Sequence, residues 1–231
     1  MAIRRPSQDK SAAQLHARPD VPKRQGAVGL HELPIGRRRH ALLHVPKRAI
    51  TSGSAALAVM LHGAGGNADH GLKILAPFAE HANVIVLAPQ SRKATWDIIS
   101  DARFGPDVHF IDDCLHIVFS RYQIDASRIA LGGFSDGASY ALSLGLSNGS
   151  LFTRLLAFSP GFMAPVDIQD NPLIFISHGR RDKVLTIDVC SRRLVRVLRS
   201  HHLRVEYREF EGPHTVPADC KKRALQILTQ S

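Results

Sequence analysis

With 231 residues, 44% of them hydrophobic and 22% charged, the chain is long enough to build one domain around a sizeable core. Its net charge of +10 is lopsided, because residues 1–48 hold 11 Lys and Arg against 3 Asp and Glu, while residues 49–231 hold 19 against 17. No run approaches the ~18 continuous apolar residues that span a bilayer, and no apolar stretch of ~7–15 residues follows Arg4-Arg5 as an export signal requires, so a cytoplasmic protein without a transmembrane segment is expected.

The basic arm comes first. Prolines stand at positions 6, 19, 22, 34 and 46, and large apolar residues are few up to Val28. Such a composition buries too little surface to offset its ordering entropy, which predicts a disordered arm over 1–26 ahead of a single domain over 27–231. The arm offers a contact for anionic surfaces. No nucleic-acid-binding motif or interleaved aromatic pattern accompanies it, so nucleic acid is not the expected partner. Arg37-Arg38-Arg39 falls beside a predicted edge strand ending around Val45.

From residue 55 onward short apolar runs alternate with helix-length segments. Strands are predicted at Leu57–Leu61, Val84–Leu87, Arg128–Gly132, Leu155–Phe158, Leu173–Ser177 and Arg204–Phe210. Helices are predicted near 69–81, 107–121, 137–147, 187–201 and 217–229, the fourth with an apolar stripe of Ile187, Cys190, Leu194, Val197 and Leu198 opposite four arginines. Continuous apolar strands separated by helices indicate an α/β, doubly wound, mostly parallel sheet covered on both faces. Right-handed crossovers then gather the functional loops beyond the carboxyl ends of the strands.

Four of those loops carry reactive or glycine-rich residues. They are His62-Gly63-Ala64-Gly65-Gly66-Asn67, Gly133-Phe134-Ser135-Asp136-Gly137, His178-Gly179-Arg180-Arg181-Asp182 and Glu211-Gly212-Pro213-His214-Thr215. The second is a Gly-x-Ser-x-Gly turn between a strand and a helix, which lifts a serine hydroxyl above the sheet edge. A serine needs a base to attack at neutral pH, and an imidazole serves because its pKa lies near neutrality. Ser135 is therefore the candidate nucleophile, His214 the base and Asp182 the acid that orients it. The oxyanion would take the backbone N–H of Asp136 and one from the glycine-rich loop, Ala64 first and Gly65 as the alternative. No cofactor or metal is expected. Cys114, Cys190 and Cys220 are odd in number and far apart, without metal-ligand spacing, and are expected to be reduced thiols.

Other histidines and acids compete for these roles. His62 and His178 each end a strand and precede a glycine, and are expected to brace their loops. Asp188 is the competing acid, but it lies beyond the loop that holds Asp182.

The residues His62-Gly63, Ala88-Pro89, Thr95-Trp96-Asp97, Gly132 to Gly137, His178-Gly179 with Asp182, and His214 resemble the phospholipase/carboxylesterase family of α/β-hydrolases, which includes bacterial carboxylesterases and acyl-protein thioesterases. The resemblance covers about residues 55–229. It implies a cofactor-free serine hydrolase acting on small-molecule carboxylic esters, with thioesters or lysophospholipids as further substrate classes, through Ser135, Asp182 and His214. Two positions depart from the pattern: Asp136 stands where the thioesterase branch has glutamine, and Ala138 replaces a glycine.

Only 46 residues separate Ser135 from Asp182 and 31 separate Asp182 from His214, which leaves no room for a cap domain and predicts an open site for small to moderate acyl groups. Trp96, Phe162 and Met163 are the candidate pocket walls, with Trp96 equally placed to serve as a core anchor. The alternatives are a peptidase or amide hydrolase on the same fold, or a binding protein tethered by its basic arm.

Overall fold

A computed structural model describes residues 10–36, 39–51 and 53–230. Eight strands form one sheet in the order β1-β2-β4-β3-β5-β6-β7-β8. They are β1 (Gly29–Glu32), β2 (Ala41–Val45), β3 (Ala55–Leu61), β4 (Val84–Pro89), β5 (Ile124–Phe134), β6 (Arg154–Phe158), β7 (Leu173–Gly179) and β8 (Val205–Phe210). β2 runs antiparallel to β1 and to β4, and every other pairing is parallel. The expected α/β class therefore stands: a mostly parallel sheet with helices on both faces and no inserted domain among the described residues.

The helices are α1 (Arg48–Thr51), α2 (Ala68–Ala82), α3 (Asp97–Ser100), α4 (Pro106–Phe119), α5 (Asp136–Leu146), α6 (Ser191–Ser200) and α7 (Ala218–Thr229). β3 shows why the central strands read as unbroken apolar runs. Ala55, Leu57, Val59 and Leu61 enter the core formed with α4, α5 and α6. Ala56, Ala58 and Met60 enter a second core formed with α2 and α7. Alternate side chains thus meet helices on opposite faces, and no residue of β3 or β4 faces water.

Three expectations need correction. Within the arm expected to be disordered over 1–26, residues 10–26 pack on the domain, while 1–9 lie outside the described residues. Ala13, at the end of a 3₁₀ turn over Lys10–Ala13, and Leu15 and Ala17 in the strap that follows are fully buried. Its backbone is satisfied by distant side chains: Leu15 N–H donates to Asn148 Oδ1 (2.9 Å), and His16 and Ala17 N–H both donate to Asp112 Oδ1 (2.8 Å each). Arg37 and Arg38 lie outside the described residues, and β1 was not foreseen. Finally, α6 begins at Ser191 rather than 187, because residues 183–190 form turns tied to Asp182.

Candidate active site

Ser135 sits between β5 and α5 with φ 57° and ψ −120°, a left-handed, strained backbone for a residue with a side chain. The turn is locked on both sides: Ser135 N–H donates to Phe158 O (2.9 Å), and Ser135 O accepts from Ser139 N–H (3.0 Å). Its two glycines are forced by close approach. A Cβ at Gly133 would lie 2.6 Å from the Gly137 carbonyl carbon, and one at Gly137 would lie 2.4 Å from Leu61 O. Gly63, on the loop after β3, comes so near that its Cβ would be 3.3 Å from Ser135 Cβ.

Asp182 and His214 stand on the loops after β7 and β8, whose strands pair in register to Gly179 and Phe210. His214 Nδ1 donates to Asp182 Oδ2 (2.5 Å), and its ring lies against Phe134, 4.5 Å between centroids, beside the serine turn. The other oxygen of Asp182 accepts from Val184 N–H (2.9 Å) and Leu185 N–H (2.8 Å). Burial alone would raise the Asp182 pKa. The hydrogen bonds from Leu185, His214 and Val184 outweigh it and hold the carboxyl below the ordinary carboxylate range, so it is an anion beside His214.

The competing residues have other duties. Asp188 is exposed and paired with Arg192 (2.8 Å). His178 is fully buried behind Asp182, where Nε2 donates to Leu185 O (2.8 Å) and lies 3.1 Å from Asp182 Oδ2, while Nδ1 accepts from the Ser191 hydroxyl (2.6 Å). Burial lowers its pKa and favours the neutral ring. His62 Nδ1 donates to Gly63 O (2.8 Å), and Nε2 accepts from Ser91 N–H (3.1 Å); burial lowers its pKa too. Both histidines brace loops, as expected.

Among the oxyanion candidates, Gly65 is corrected, because its N–H already donates to Ala94 O (2.7 Å). Among the described residues, the N–H groups of Ala64 and Asp136 have no acceptor within the chain. The Asp136 carboxylate, at the position where the thioesterase branch has glutamine, accepts from the Thr95 hydroxyl (2.6 Å).

The pocket walls change as well. Trp96 has no exposed surface; it donates from Nε1 to His62 O (2.9 Å) and packs between His62 and Tyr140 at 4.9 and 5.1 Å. It is a core anchor behind the glycine-rich loop, not a wall. Met163 is likewise buried in the core, whereas Phe162 stays half-buried. Next to Phe162, Gly161 approaches Leu185 closely: a Cβ there would lie 3.3 Å from Leu185 Cδ2.

A serine ladder escaped sequence reading. Ser139 and Ser143 on α5 and Ser147 at its C-cap recur at four-residue spacing on one face, and their hydroxyls accept from Gly161 N–H (2.9 Å), Ala164 N–H (2.9 Å) and Val166 N–H (3.1 Å). The same hydroxyls donate to the carbonyls of Ser135, Ser139 and Ser143. The i, i+4 spacing was visible; the loop it would bind was not.

The model of the family described as phospholipase/carboxylesterase matches residues 108–229, more than half of the chain. No curated protein matches the chain in sequence. Solved structures share the fold. Esterase PE8 superposes with a TM-score of 0.65 at 20% identity, covering 87% of this chain and 98% of its own. S-formylglutathione hydrolase from Staphylococcus aureus gives 0.70 at 14% identity, covering 91% and 100%. A ferulic acid esterase from the fungus Anaeromyces mucronatus gives 0.63 at 18% identity, covering 94% and 97%.

Proposed function

Since the chain belongs to the phospholipase/carboxylesterase family of α/β-hydrolases, we propose that it is a serine esterase cleaving carboxylic esters of small to moderate acyl groups by way of an acyl-enzyme. The observation that carries this reading is the His214–Asp182 pair, 2.5 Å apart, packed through Phe134 against the strained Ser135 turn. Ser135 Oγ attacks the ester carbonyl as His214 Nε2 takes its proton. Asp182 holds the ring by Nδ1 and stabilises the imidazolium. The negative charge that develops on the carbonyl oxygen meets the N–H groups of Ala64 and Asp136, each worth about 3 kcal/mol of barrier in comparable sites. Collapse of the adduct returns the proton to the leaving alcohol. Water then repeats the sequence on the acyl-serine, releasing the acid.

The absence of an inserted domain among the described residues supports an open site, and Phe162, the one candidate wall that is only half-buried, is the apolar wall for the acyl group. Thioesters and lysophospholipids belong in the substrate panel, because the same acyl transfer serves them. A reducing cytoplasm suits Cys114, Cys190 and Cys220, which are buried and unbridged. Among the described residues no helix is long and apolar enough to cross a membrane.

Hydrolysis of p-nitrophenyl acetate and butyrate by the wild type and by Ser135→Ala tests the reading. Release of p-nitrophenol should be lost in the variant, and equal rates in both would overturn the assignment. Anilides of the same acids should be left intact; comparable anilide cleavage would indicate an amidase.

A further inference from the structure

Three consecutive residues, Ala94, Thr95 and Trp96, each make one bond to a different part of the oxyanion apparatus. Ala94 O accepts from Gly65 N–H (2.7 Å), the residue next to the Ala64 donor. The Thr95 hydroxyl donates to Asp136 Oδ2 (2.6 Å), the side chain of the residue that carries the other donor. Trp96 Nε1 donates to His62 O (2.9 Å), at the root of the glycine-rich loop. The two donor N–H groups belong to segments 72 residues apart in the chain, the loop after β3 and the first turn of α5. Adjacent residues of a third segment therefore span the gap between them.

That third segment is itself anchored. Ser91 N–H donates to His62 Nε2 (3.1 Å) and Arg92 N–H to Asp107 Oδ1 (2.9 Å). Asp97 and Asp107 exchange backbone N–H bonds with each other's carboxylates (3.0 and 2.8 Å), and Arg39 pairs with Asp107 (2.7 Å). Tyr140 of α5 donates to Asp97 Oδ1 (3.1 Å). The tripeptide is thus fastened to α4 and α5 behind it and to both donor segments in front.

Resting on the serine-esterase reading, we propose that Thr95 and Asp136 are positioning residues: their side-chain hydrogen bond sets the Asp136 N–H relative to the Ala64 N–H and so fixes the width of the oxyanion site. Asp136, which departs from the thioesterase branch at this position, is then an acceptor for Thr95 rather than a group in contact with substrate. Oxyanion donors act through placement, and a shift on the scale of 1 Å can cost about a hundredfold in rate.

Thr95→Val tests this directly. Thr95 is half-buried, valine keeps its volume, and the Asp136 carboxylate is half-exposed to water, so folding should persist. The expected result is a roughly ten- to hundredfold loss in kcat/KM with little change in melting temperature. Affinity for a trifluoromethyl ketone, which forms a tetrahedral adduct, should fall in parallel, while affinity for the matching methyl ketone stays constant. Thr95→Ser and Asp136→Asn, which keep the donor and the acceptor, should restore activity, whereas Asp136→Ala should reproduce the loss. Adding Thr95→Val to Asp136→Ala should cost nothing further. The proposal is overturned if Thr95→Val keeps kcat/KM within about twofold of wild type, or if it weakens both ketones alike. A wild type without Ser135-dependent ester hydrolysis would instead overturn the esterase reading, and the inference with it.

Discussion

Two segments dock on α5 beside Ser135, and they are held there in opposite ways: Ser91–Asp97 is bonded to the residues around the proposed oxyanion donors, whereas among the described residues Gly161–Val166 is bonded only to a row of serine hydroxyls. In the first, side chains and carbonyls of Ala94, Thr95 and Trp96 reach Gly65, Asp136 and His62. In the second, the backbone N–H groups of Gly161, Ala164 and Val166 are satisfied one turn of helix at a time. On the proposed mechanism, the first segment would govern where the developing charge is met. The second carries the half-buried Phe162, and on the proposed reading would govern what lies against the acyl group. Rate should be sensitive to one and selectivity to the other.

The largest effect that would sharpen this contrast is the roughly ten- to hundredfold loss in kcat/KM for Thr95→Val, shared by acetate and butyrate esters. Ser143→Ala is its counterpart on the other segment. It removes the acceptor of Ala164 N–H and should cost about 1–3 kcal/mol of stability in urea unfolding, with kcat retained and KM raised. A kcat loss as large as that of Thr95→Val would erase the distinction.

A third prediction uses Asp97, which closes the first segment and has no counterpart in the second. Burial, reinforced by the neighbouring Asp107 carboxylate and opposed by hydrogen bonds from the Asp107 backbone and Tyr140, raises its pKa from 3.8 to about 6. The folded chain then holds a proton that the unfolded chain has released. The resulting stability is complete below pH 3.8 and is lost as pH rises through about 6. His62 and His178, whose pKa values are lowered from 6.5, act in the opposite sense and cost stability as pH falls below that value. Urea unfolding of wild type and Asp97→Asn between pH 4 and 7 should isolate the acid: the variant, which mimics the protonated group, should lack the decline attributable to Asp97. Parallel curves would contradict it. The smallest expected effect is that of Phe162→Ala, a few-fold rise in KM for butyrate with acetate unchanged.

The sheet was legible in the sequence because its strands are apolar on both faces, as the two cores meeting β3 explain. The serine turn was legible because close backbone approach leaves room only for glycine at Gly133 and Gly137. What escaped depends on partners remote in sequence. Leu15 and Ala17 look like parts of a loose arm until Asn148 and Asp112 satisfy their N–H groups. Trp96 could be placed near the site, but only its Nε1 bond to His62 O and its full burial separate an anchor from a wall. Gly65 likewise resembled a donor until Ala94 O claimed its N–H. Local pattern reports periodicity and conformational demand, while these assignments turned on which distant carbonyl or carboxylate fills a hydrogen bond.

The central claim is that Ser135 is activated by His214 and Asp182. Labelling with a fluorophosphonate, followed by peptide mass mapping, tests it most directly, because the probe reacts only with an activated serine. The expected result is a single adduct on Ser135, formed slowly or not at all in His214→Ala and Asp182→Ala. An adduct on another residue, or Ser135 labelling at the wild-type rate in His214→Ala, would contradict it.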